Sequence, residues 1–332
     1  APYNWDYYTE KVRKSQYDLD ENELKPYFEL FNVLEKGVFY AATCLYGITF
    51  QRRTDLPVYH PDVVVYELFE ADGSPLGLYY GDFYTRESKR GGAWMSELVT
   101  PSKLFGQKPV IYNVCNYTPP TQALPCLLSY SEVETLFHEF GHALHAFFAE
   151  QQYATLAGTA VARDFVEFPS QFNEYWALHE EVLPHYARHY QTQEMISEAL
   201  IKKIKNSRDF NHGYRFCEVL ASAYLDMKWH TLAADSQITE VAPFEVSATK
   251  RFPKEVPLRY RSLYFSHIFG GGYAAGYYAY QYSEILAEDT YHWFEKHGGL
   301  SRKNGDRFRS LILSKGNTMD YQEMMKLMLS DQ

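Results

Sequence analysis

Residues 138–142 read His-Glu-Phe-Gly-His: two imidazoles one helical turn apart, with a carboxylate beside the first. Neutral imidazoles at i and i+4 reach one zinc ion from the same side. Glu139 then sits where it can act on a water at that ion without ligating it. The chemistry implied is metal-assisted hydrolysis with a carboxylate general base. The chain carries its own contrast at His185 and His189. That pair has the same spacing but no Glu after the first His, and it reads as exposed surface.

A catalytic zinc needs a third protein ligand and an open fourth position. A His ten residues after the first is excluded, because position 148 is Phe. His145 is one turn past His142 and could join only if the helix unwound, so it reads as a helix-face residue. The other solution is a carboxylate on a following helix. Residues 164–176 supply Asp164, Glu167 and Glu174. Pro169 suits a first helical turn, which puts Glu167 near the start of that helix. Glu167 lies 167 − 138 = 29 residues after His138, room for a helix, a loop and an antiparallel return. Spacing prefers Glu167 slightly and leaves Asp164 and Glu174 open.

These residues need elements to hold them. Ser131-Glu132-Val133-Glu134 fits a capping box and predicts a helix from Ser131 to about Ala149. At about 100° per residue, His138, His142 and His145 share one face. Leu136, Phe137, Phe140, Leu144, Phe147 and Phe148 fill the opposite, core-facing arc. Before this helix, Val63–Phe69, the turn Asp72-Gly73 and Leu76–Arg86 read as a β-hairpin, and Val110–Val114 as a further strand. The hairpin and the stretch to Met95 are expected to hold substrate as an added strand. Residues 6–50 and most of the chain after Ser131 read as helical, with breaks near Pro184, Pro243, Pro253–Pro257 and Gly298-Gly299. No repeat or linker divides the chain, so residues 1–332 are expected to form one mainly α domain with a small β-sheet.

Composition sets the limits. The chain has 332 residues, 22% charged and 46% hydrophobic, which is long enough for a large core. A formal net charge of -10 repels phosphate backbones and argues against nucleic acid as a partner. No run of 18 apolar residues suggests a membrane span. Four scattered cysteines (Cys44, Cys115, Cys126, Cys217) read as free thiols and point to the cytoplasm. The 30 tyrosines suit the wall of a peptide-binding cleft, though most should be core.

Several segments together resemble the thimet oligopeptidase family of zinc peptidases, closest to its bacterial peptidyl-dipeptidase (dipeptidyl carboxypeptidase) branch. They are His138–His142, Gly158-Thr159, Asp164–Gln171, Gly91–Met95, His267–Tyr278 and Gly298–Leu300. The likeness covers nearly the whole chain but only the C-terminal half of a family member. It implies a zincin-like catalytic domain, one zinc held by His138, His142 and Glu167, and Glu139 as catalytic base. It further implies that Tyr277 and Tyr280 face the scissile carbonyl and that His267 and Tyr273 contact substrate. The expected partners are short peptides and a missing N-terminal half. On a helix, Tyr273, Tyr277, Tyr280 and Glu284 would form one stripe. A competing dinucleotide fingerprint, Gly270-x-Gly272-x-x-Ala275, would need a strand before it.

Overall fold

The computed structural model describes residues 4–208, 210–253 and 258–330, so residues 254–257 of the expected Pro253–Pro257 break lie outside the described residues. Runs rich in Val, Ile and Tyr become a five-stranded mixed sheet: β1 (Thr49–Arg53), β2 (Val64–Phe69), β3 (Pro75–Tyr84), β4 (Trp94–Val99) and β5 (Val110–Tyr117). The spatial order is β1-β2-β3-β5-β4. β2 and β3 are the expected hairpin, pairing Val65 with Tyr80 and Glu67 with Leu78. Their turn rests on Gly73, at φ +82°, and on Asp72, whose Oδ1 accepts from the Ser74 N–H at 2.9 Å. β3 runs parallel to β5, and β4 closes the edge antiparallel to β5.

This order corrects the expected docking edge. Both hairpin strands are paired on both sides, so neither can accept another strand. The sheet's edges are β1 and β4, and the stretch ending near Met95 belongs to β4. Both edge strands escaped the sequence reading, because they are short and carry charged or small residues.

The helices that bear on the site are, in chain order, α1 (Phe39–Tyr46), α2 (Tyr130–Phe147), α3 (Phe168–Glu174), α4 (His212–His230) and α5 (Ala279–Lys296). α2 starts one residue earlier than expected. Its cap is Ser129, which exchanges bonds with Glu132 in a complete capping box, and Ser131 instead lies in the first turn. The predicted core arc holds: Leu136, Phe137 and Phe140 are 0% exposed. Phe140 packs edge-on to Tyr79 of β3 at 5.3 Å and against Phe39 of α1 at 5.4 Å. Each such buried ring is worth about 1.5–3 kcal/mol over an exposed one. His145 departs from the expectation. It is fully buried rather than turned from the core, and burial drops its imidazole pKa to about 3.

The chain divides into two compact units. One comprises Glu21–Ala162, Phe168–Ser197 and Leu286–Gln332, and contains the sheet with α1, α2 and α3. The other comprises Ala1–Asp20, Arg163–Glu167 and Glu198–Ile285, and contains α4. The four cysteines are free thiols. Among the described residues, no helix is long and apolar enough to cross a membrane.

Candidate metal centre

Helical spacing brings the rings of His138 and His142 to 4.9 Å, one nearly perpendicular to the other. The third donor depends on how closely α3 approaches α2, and Gly141 governs that approach. A Cβ there would stand 2.7 Å from Ser170 Cα and 2.9 Å from the Pro169 carbonyl oxygen. Only glycine lets the two backbones meet. Asn173 of α3 locks the contact by donating to the Phe137 carbonyl at 2.6 Å, and Asn113 of β5 donates to the Glu139 carbonyl at 2.9 Å. Residue 167 immediately precedes α3. The helical stretch Arg163–Val166 is interrupted there, because Pro169 has no N–H to return to the Phe165 carbonyl.

The ligand atoms of His138, His142 and Glu167 lie within 4.8 Å of one another. Among the described residues this is the one His/Cys/Asp/Glu group so placed. Donors on a tetrahedral zinc stand about 3.4 Å apart, so small side-chain shifts gather this set around one ion. Two imidazoles and one carboxylate also leave a fourth position open, the composition of a catalytic rather than a closed structural site. The residues present therefore fit zinc.

The open choice among carboxylates resolves by position. Glu174 accepts a 2.6 Å hydrogen bond from His138 Nδ1, which leaves Nε2 for a metal. Its role was missed in the sequence. The available signal was its place two helical turns after Glu167. Asp164 is occupied elsewhere, accepting from the Tyr278 hydroxyl at 2.9 Å. Glu139 is 5% exposed and adjoins His138 in sequence. His185 is exposed and stacks on Tyr40 at 3.8 Å, as expected of surface.

The expected helical tyrosine stripe does not form. Residues 274–278 are turns, and α5 begins only at Ala279, so Tyr273 and Tyr277 lie off the helix. A buried acid, Asp226 of α4, takes the place of helical bonding. Its two oxygens accept from the Ala275 and Tyr277 N–H groups, both at 2.9 Å, with Ala275 left-handed at φ +52°. The rings still converge. Tyr273 stacks on Tyr280 with centroids 5.4 Å apart, and Tyr277 meets Tyr280 at 5.2 Å. His267 lies 5.9 Å from Tyr273 and 5.5 Å from Tyr277. The Tyr273 hydroxyl donates to Glu167 Oε1. Burial, then the Glu167 charge, raises the pKa of Tyr273 and Tyr280, and burial with Tyr260 raises that of Tyr277. All three phenols therefore stay protonated donors. Burial, then Arg259, lowers the His267 pKa and favours its neutral form. The dinucleotide reading falls, because a 3₁₀ turn at Ser262–Tyr264 and a helical turn at Ser266–Phe269 stand where it needs a strand.

Comparison with known proteins agrees with the resemblance seen in sequence. The family description "Peptidase family M3" matches residues 1–332. Dipeptidyl carboxypeptidase of Escherichia coli (strain K12) is 53% identical over 328 residues, which cover 98% of this chain and 48% of that protein. Oligopeptidase A of the same organism is 36% identical over 341 residues, covering 97% of this chain and 48% of that protein. The chain spans about half the length of the curated relatives it matches.

Proposed function

Since the chain belongs to peptidase family M3, we propose that it hydrolyses short peptides with one zinc ion per chain, releasing C-terminal dipeptides. The observation that carries this reading is the His138, His142 and Glu167 donor set with Glu139 beside it. Zinc, when bound, supplies Lewis acidity toward the scissile carbonyl and the attacking water. Glu139 removes the proton from that water and returns it to the leaving amine. Tyr277 and Tyr280, kept protonated, donate to the developing oxyanion. Tyr273 holds Glu167 through its hydroxyl, and with His267 it lines the substrate's path. Edge strand β4 offers unpaired backbone groups to an extended peptide.

We treat residues 1–332 as a single catalytic domain working in the cytoplasm, in keeping with four free thiols. Its partners on this reading are peptides and the N-terminal half that longer relatives carry. The dipeptide preference draws support from the 53% identity to a dipeptidyl carboxypeptidase. Endo-acting cleavage is the nearest alternative, favoured by the more distant oligopeptidase A match. A non-catalytic zinc and peptide binder is the alternative of another class. Glu139→Gln separates the classes: it should retain one zinc per chain by metal analysis and lose cleavage of a short fluorogenic peptide. Full turnover in that variant refutes the mechanism.

A further inference from the structure

Dipeptide release requires the enzyme to recognise a free C-terminal carboxylate two residues beyond the scissile bond. A cation must stand about 7 Å from the scissile carbonyl, since an extended chain rises about 3.3 Å per residue. Resting on the reading above, we propose that Arg259 is the residue that holds this carboxylate, with the Tyr260 hydroxyl beside it.

Three arginines were candidates, and their surroundings separate them. Arg261 is consumed by Glu245, itself 2% exposed, which accepts from Arg261 Nε at 2.5 Å and from the Ser262 N–H at 2.6 Å. That pairing is structural. It anchors the loop that presents Arg259, helped by Trp229 Nε1 donating to Ser262 Oγ at 2.8 Å. Arg163 lies flat over the Tyr273 ring, 4.5 Å from its centroid, with Gly272 and Gly276 closely approaching it. Its guanidinium face is already spent on the ring.

Arg259 differs from both. Among the described residues, no carboxylate stands within ion-pair distance of it. Its neighbours are donors and aromatic rings: it sits over Tyr260 at 5.7 Å, and Tyr277 and His267 lie within its electrostatic reach. Tyr260 in turn lies 5.1 Å from His267 and 6.0 Å from Tyr277. Position matches the two-residue requirement. Tyr273 bonds Glu167 at the metal centre, and His267 is one ring further on at 5.9 Å. Arg259 borders the far side of that ring. A planar guanidinium with a phenol beside it is the donor set a carboxylate accepts from in bidentate fashion.

The test compares N-blocked peptides ending in a free carboxylate or in a carboxamide, using the zinc-loaded full chain. The wild type should cleave the acid at least ~30-fold faster in kcat/KM, the value of one charged hydrogen-bonded pair. Arg259→Met should lose ~10- to 100-fold on the acid, mostly in KM, with a far smaller change on the amide. Arg259→Lys should recover part of the preference. Calorimetric binding of a free dipeptide should weaken by a similar factor in Arg259→Met, independently of turnover. Arg163→Met should affect acid and amide alike. An Arg259→Met enzyme that keeps the wild-type acid-to-amide ratio overturns the assignment alone. A wild type without any acid preference removes the dipeptide-release reading, and the assignment falls with it.

Discussion

Gly141→Ala tests how the third metal ligand is placed, with no ligand altered. The new Cβ would stand 2.7 Å from Ser170 Cα, 2.8 Å from Asn173 Cβ and 2.9 Å from the Pro169 oxygen. Two of those atoms are backbone and the third is a Cβ, so no flexible tip can swing aside. Carbon atoms separate to about 3.5 Å or more, so α3 must recede by roughly 0.8 Å. Such overpacking costs about 1–3 kcal/mol, offset by about 0.5–1 kcal/mol from replacing a mid-helix glycine. A net loss of about 1–2 kcal/mol is expected in urea unfolding. The larger effect falls on the metal. The same recession stretches the 2.6 Å His138–Glu174 bond past hydrogen-bonding range and draws Glu167 from its partners. Metal–ligand distances tolerate only about ±0.2 Å, so zinc affinity should fall ~10- to 100-fold in chelator competition. Gly213→Ala is the control. It is an exposed glycine near the start of α4 with nothing within 4 Å of its added Cβ, and it should be neutral or slightly stabilising. A Gly141→Ala protein with wild-type stability and zinc affinity would refute the idea that the α2–α3 approach sets the donor geometry.

Four further outcomes are expected. Glu174→Ala should weaken zinc binding ~10- to 100-fold and leave the fold intact by circular dichroism, because only the orientation of His138 is lost. Tyr280→Phe should cut kcat by about 10²-fold with KM little changed, the signature of an oxyanion donor; an effect confined to KM would place it in substrate binding instead. His145 has a folded pKa of about 3 against an ordinary 6.5, so the unfolded chain binds the proton first as pH falls. The resulting loss begins below pH 6.5 and reaches about 2 kcal/mol at pH 5. His145→Met should remove that much acid sensitivity from the urea midpoint, and an unchanged pH slope would show that His145 does not cause it. Proline scanning along β4 should raise KM at positions whose N–H faces outward, whereas no effect at any of them would exclude this edge as the docking strand.

The sequence alone determined the local chemistry. His138, Glu139 and His142 are tied by helical periodicity, and the apolar arc from Leu136 to Phe148 tells that helix which side to bury. The hairpin was equally legible, because Asp72-Gly73 permits a turn that few other pairs do. Periodicity failed where the backbone stops being periodic. Tyr273 and Tyr277 left the expected helix because Asp226, distant in sequence, binds their backbone, and His145 was drawn inward by packing that no local pattern records. The carboxylates at 164, 167 and 174 are chemically equivalent in a sequence. Only tertiary packing tells them apart, by setting α3 against a glycine in the zinc helix. Glu167 then joins the imidazoles, Glu174 steers one of them, and Asp164 turns to Tyr278. Spacing along a chain fixes angles within an element. Distances between elements come from how closely their backbones can approach.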